Sequence, residues 1–192
     1  MSTVDSNRVI VTGENPFIRL SESDGGPNTT EASYWRVFLS PEGTGHVLYL
    51  KSELTEKRWR IYSDNVKLTR WLQKTVQGML NAELKDEAIP VLDAAFSKSG
   101  DPNESWTETV SADGEEIALT WHEMGDPLLV HTQPGTPAGR PYGLSTVLIP
   151  AARASITRNG VSAAGKVWPR EREGRPFSTC ALAFAESWTE PR

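Results

Sequence analysis

The sequence predicts a mainly β, single-domain fold: an antiparallel barrel or sandwich of about nine to eleven strands carrying one main α-helix near 65–81. Three observations point there. Short aromatic and β-branched runs recur between hairpin-length turn signals, only one stretch has a sustained helical period, and no repeat or composition break divides residues 1–192.

From the N-terminus, Arg8–Thr12 and Phe17–Leu20 read as short strands, and the polar stretch 21–33 as a loop around Gly-Gly-Pro. Residues 34–39 (YWRVFL) and 46–51 (HVLYLK) flank SPEGTG and form a hairpin. Residues 57–63 alternate, placing Trp59 and Ile61 on one face and Arg58, Arg60 and Tyr62 on the other. The period then changes. Leu68, Trp71, Leu72, Val76, Met79 and Leu80 fall on one helical face, with Asp64 or Asn65 as N-cap.

Beyond Pro90 the pattern returns to strands. Val91–Ser97 is followed by a GDPNES turn, and Trp106–Ala112 and Glu115–Trp121 flank Asp113-Gly114, a strong hairpin signal. Trp121–Met124 and Leu128–Thr132 flank a Gly-Asp-Pro turn. Gly143–Pro150 and 154–158 read as strands, with Asn159-Gly160 turning into 161–167. WPREREGRP (168–176) reads as a charged loop and Phe177–Trp188 as a last long strand.

The composition is that of a folded chain, 38% apolar and 23% charged. A net charge of −5 argues against nucleic acid as a partner. Apolar runs are far shorter than the ~20 residues of a membrane span. With no secretory signal at the N-terminus, a cytoplasmic protein is expected. Cys180 is the one cysteine and lies in an apolar run, so it reads as a packed thiol. Charge is unevenly spread: residues 83–126 carry a net −10, whereas 51–74 is basic. The two segments either neutralise each other or offer complementary surfaces for a homo-oligomer or partner.

A two-residue turn at Asp113-Gly114 places Trp106 opposite Trp121, Glu108 opposite Leu119 and Val110 opposite Ile117. That face is apolar apart from Glu108. A carboxylate among tryptophan and aliphatic groups is a candidate general acid/base, unless an arginine such as Arg36 or Arg60 pairs with it. Glu186, between Phe184 and Trp188 near a strand end, is a second candidate, with exposure at the rim expected. Trp106 and Trp121 would hold a flat ligand, and Arg58, Arg60 and Tyr62 would clamp an acidic group. His122 and His131, paired across the Gly-Asp-Pro turn and joined by His46, are a weaker alternative as metal ligands.

No dinucleotide, P-loop, nucleophile-elbow or zincin motif is present. The expectation is a small-molecule-binding barrel for an acidic or aromatic ligand, acting as an isomerase, cyclase, dehydratase or hydrolase without an organic cofactor. A barrel of this kind resembles the lipocalin-like ligand carriers in architecture, without their sequence signature. The competing expectation is a non-catalytic interaction protein.

Overall fold

The computed structural model describes residues 8–135 and 140–191. The fold is mainly β. The described strands are β1 (Val9–Glu14), β2 (Phe17–Ser21), β3 (Asn28–Leu39), β4 (Gly45–Lys51), β5 (Arg60–Ser63), β6 (Val91–Asp93), β7 (Ala95–Asp101), β8 (Ser105–Ala112), β9 (Glu115–Met124), β10 (Leu128–Thr132), β11 (Gly143–Arg158), β12 (Val161–Ser162), β13 (Pro169–Arg172), β14 (Arg175–Ser178) and β15 (Cys180–Thr189). Thirteen of them form one sheet, in the order β6-β5-β4-β3-β1-β15-β11-β9-β8-β7 with β2, β10 and β12 alongside.

The sheet curls until its two edges meet. The edge strands β6 and β7 are consecutive, separated only by Ala94, whose N–H bonds to the Ser63 carbonyl. Side chains from both halves fill the interior, where Ile18, Leu48, Leu50, Val110, Ile117, Leu119 and Trp121 lose all or nearly all contact with solvent. A close-packed interior of this kind supplies most of the stabilisation of such a barrel.

The outer face of β1, β3, β4 and β5 is covered by the helical segment. Helix α1 (Val66–Leu72) starts at Asn65, whose side chain accepts the Leu68 N–H at 3.1 Å, so Asn65 is the cap and Asp64 is free for other work. A π-turn (Gln73–Gln77) and a short α2 (Gly78–Leu80) follow. Leu68, Leu72 and Val76 bury against Trp35, Val47, Tyr49 and Ile61, and Trp71 and Met79 lie at the margin.

The β8–β9 register matches the turn argument, with Trp106 opposite Trp121 and Glu108 opposite Leu119. Asp113 and Gly114 both take positive φ (32° and 77°), the conformation a tight primed turn demands. Elsewhere the structure differs from expectation. The stretch read as a loop at 21–33 already enters β3 at Asn28, and Val91–Ser97 is cut at Ala94 into β6 and β7. Gly143–Pro150 and 154–158 are one sixteen-residue strand, β11. Of 161–167 only Val161–Ser162 is strand, and the charged 168–176 region forms the β13–β14 hairpin.

Two differences change the candidate site. Strands β9 and β10 do not form a hairpin: β11 is long enough to pair with β10 along its first half and β9 along its second. In the last strand, Ala185 sits at φ 51° where the β11–β15 register shifts, a bulge that exchanges the faces beyond it. Cys180 and Leu182 therefore join the interior, but Trp188 joins the cluster under the helix. Strict alternation would put Cys180, Leu182, Phe184, Glu186 and Trp188 on one face, and the bulge breaks that alternation at Ala185.

Candidate functional site

Antiparallel register aligns a row of polar side chains at one end of the barrel. Glu14 of β1 is the register partner of Arg36 of β3, and Arg36 is that of His46 of β4. Asp64, one residue past β5, continues the row by accepting from His46 twice. Neighbours in such a row stand about 5 Å apart at Cβ, so these groups interact directly.

Arg36 is the hub. Its Nη1 ion-pairs with Glu14, and its Nη2 reaches both carboxylate oxygens of Glu108 on β8, at 2.9 and 2.7 Å. The Trp106 indole donates to the same carboxylate at 2.8 Å. Glu108 is 1% exposed and Arg36 11%, so the pair is well shielded from water. Burial disfavours the charged guanidinium, but Glu108, Tyr34 and Glu14 outweigh it and leave its pKa raised. Burial, followed by the Glu108 charge, pushes the neighbouring Tyr34 hydroxyl up and keeps it protonated. Glu108 thus has the arginine partner that the sequence left open, and this arrangement suits a group that anchors Arg36 rather than one that carries protons.

His46 is held differently. Its Nδ1 lies 2.6 Å from Asp64 Oδ2, and its backbone N–H donates to Asp64 Oδ1 at 2.6 Å. The ring stacks on Phe96 of β7, with centroids 4.9 Å apart and planes 15° apart. An aspartate on Nδ1 selects the tautomer in which Nε2 keeps its lone pair. Nε2 has no hydrogen-bond partner among the described residues.

The support is rigid. The Asn65 side chain that caps α1 also donates to the Glu42 and Thr44 carbonyls, tying the β3–β4 loop to the helix start. Gly45 leaves room for Asp64, since a Cβ there would lie 2.7 Å from Asp64 Oδ1. The side chains open onto a surface depression of about 590 Å³ lined by Arg36, Phe38, His46 and Asp64.

The other sequence candidates lie elsewhere. Glu186 pairs in register with Gly13, on the sheet face opposite the Glu14–Arg36 row, so the two candidate carboxylates are not brought together. It is 4% exposed rather than at a rim, because the Ala185 bulge turns it under the helix. There Asn15 and Trp188 donate to its Oε1 at 3.0 and 2.8 Å. Asn15 accepts from Ser33, which accepts from Gln77 of the π-turn at 2.6 Å. Burial raises the Glu186 pKa against those two hydrogen bonds and the Arg140 charge.

Trp106 and Trp121 are buried core residues, and the Trp121 indole N–H is spent on the Phe17 carbonyl at 3.1 Å. Arg60 and Tyr62 converge on Glu115 at 2.9 and 2.8 Å, joined by Arg158. Arg58 is exposed and pairs with Glu56. Arg58, Arg60 and Glu115 border a groove of about 1030 Å³ near the Asp113-Gly114 turn, remote along β8 from Glu108. The expected metal set is not assembled. His122 and His131 flank opposite halves of β11, at Arg153 and Ser145, eight residues or about 26 Å apart along the strand. Among the described residues no three His, Cys, Asp or Glu side chains cluster as metal ligands. Cys180 is a packed thiol: burial pushes its pKa to about 12 and its Sγ–H bonds to the Ala151 carbonyl.

Basic and acidic segments meet within the chain, through Lys51–Glu83, Lys74–Glu87 and Arg60–Glu115. No helix of the described residues is long and apolar enough to cross a membrane. The sequence signal for His46–Asp64 was faint: a histidine near the start of one strand and an aspartate one residue past the end of the next, meaningful only once their register is known. The chain matches no protein-family model and has no significant similarity to a curated protein or a solved structure, so the functional reading rests on these side chains.

Proposed function

We propose that this protein is a small-molecule enzyme that moves a proton without an organic cofactor, at the barrel end carrying the Glu14–Arg36–His46–Asp64 row. One observation carries the reading: His46 is fixed by Asp64 at Nδ1 and by Phe96 at its face, while Nε2 is left unpartnered beside a depression. A base held in one tautomer and one orientation meets the geometric requirement for general acid–base catalysis.

In this reading Nε2 takes a proton from a C–H or O–H acid of the bound molecule, and the imidazolium returns it at a second atom. The net change is an isomerisation, with atoms and charge conserved. Arg36 is neutralised by Glu14 and Glu108, so the site favours a substrate that is uncharged at its reacting end. Glu108 holds Arg36 in place. The aromatic surface offered to the ligand is that of Phe38, in place of Trp106 and Trp121, while Phe96 backs the His46 ring.

The test is incubation of the protein with a small-metabolite extract in D2O, followed by mass spectrometry. A metabolite that gains deuterium with the wild type, and not with His46→Gln, supports the reading. Labelling that is absent, or equal with the variant, overturns it.

A further inference from the structure

A cavity of about 450 Å³ lies between the β13–β14 hairpin and the strands β9–β11, away from the His46 row. Its volume is within the range of small-molecule sites, about 300–1,000 Å³. Leu128, Pro150, Val167, Pro176 and Phe177 give it apolar walls. The Ser178 hydroxyl at its base is already committed, donating to the Ala151 carbonyl at 2.7 Å. Polar recognition is therefore confined to the rim.

The rim carries three charged side chains: Glu123, Asp126 and Arg175. Glu123 is matched by Arg153 at 2.9 Å. Asp126 and Arg175 have no ion-pair partner among the described residues, and they do not pair with each other. Arg175 donates one hydrogen bond to the Pro127 carbonyl at 3.2 Å, which draws its guanidinium toward the turn that holds Asp126 and leaves its other donors unspent. An apolar cavity with one unpaired cation and one unpaired anion at its edge complements a molecule of matching pattern.

We infer that this cavity is a second binding site, taking a zwitterion with a large apolar body, the chemistry of an aromatic α-amino acid. Its carboxylate meets Arg175, its ammonium meets Asp126, and its ring lies against Pro176 and Phe177. Both rim residues are exposed, so exchanging them leaves the fold intact.

The experiment is calorimetric titration of the whole chain with L-phenylalanine, 3-phenylpropionate and 2-phenylethylamine. L-phenylalanine binds tightest, and loss of either charged group weakens binding about tenfold, the usual worth of one charge-assisted hydrogen bond. Arg175→Gln lowers L-phenylalanine to the affinity of 2-phenylethylamine, and Asp126→Asn lowers it to that of 3-phenylpropionate. Equal affinity for the three compounds, no saturable binding of L-phenylalanine, or indifference to both substitutions overturns the inference.

Discussion

Arg36 and Glu108 join opposite walls of the barrel, strand β3 to strand β8, through two hydrogen bonds of 2.9 and 2.7 Å from a single guanidinium nitrogen. No backbone pairing connects these strands directly. The ion pair is therefore a tie across the interior, and its energetics depend on which partner is removed.

Arg36→Ala strands two shielded carboxylates, Glu14 and Glu108, and is expected to cost about 3–5 kcal/mol. Glu108→Gln is milder, because Glu14 still balances Arg36 and the amide oxygen still accepts from Trp106; about 1–3 kcal/mol is expected. Urea unfolding of both variants checks the order. Equal losses, or a larger loss for Glu108→Gln, would refute it.

Gly45→Ala places a methyl group 2.7 Å from Asp64 Oδ1 and 2.9 Å from Asn65 Cβ. Asp64 must withdraw from His46, whose imidazole then loses its fixed tautomer. Nitrogen-15 spectra of His46 should change from one Nδ1-protonated form to a mixture, and deuterium transfer should fall about tenfold or more. A spectrum unchanged by the substitution would show that Asp64 does not orient the ring.

Gln77→Leu removes the donor at the head of the Gln77–Ser33–Asn15–Glu186 chain. Because that chain joins the π-turn to the sheet at a buried site, a loss of about 1–3 kcal/mol is expected. Tautomer and line width at His46, on the opposite face, should not respond. Thermal unfolding and the same nitrogen-15 spectrum measure the two effects.

Glu186 makes a prediction about pH. Its folded-state pKa lies above the unfolded value of about 4.3, so the folded protein binds the extra proton. Stability from this group is greatest at low pH and is lost as pH rises through the raised pKa. Relative to Glu186→Gln, which has no charge to bury, the wild type should lose stability as pH rises from about 4 through the raised pKa. A difference in unfolding free energy that stays flat over that interval would contradict the assignment.

The sequence carried the local features of the fold well. The helical period opening at Leu68 and the Asp113-Gly114 turn with its register are short-range patterns that the structure reproduces, although the π-turn at Gln73–Gln77 shifts the period and leaves Leu80 exposed. What it could not carry were decisions made by distant partners. Nothing local to Ala185 announces a bulge, because the shift arises from its pairing with β11. The Gly-Asp-Pro segment resembles a hairpin turn, yet β11 is long enough to serve both flanking strands. Glu108 was legible as a buried carboxylate, but its partner Arg36 lies 72 residues away, and His46–Asp64 needed the alignment of β4 with β5.

The seam at Ala94 recasts the connectivity of the whole sheet. Val9 and Thr189 are register partners, so strands β1 and β15, at opposite ends of the described chain, run side by side in the middle of the sheet. Followed from β7 through β15 to β1 and on to β6, the spatial order of the main strands is their order along a closed ring. The barrel is a meander, antiparallel apart from the β5–β6 pair that the helical segment connects, opened at an unusual point. A circular permutant bridging the β1–β15 ends and cut at Ala94 would keep every antiparallel pairing, leaving Arg36–Glu108 and His46–Phe96 among the side-chain contacts that hold the two edges together.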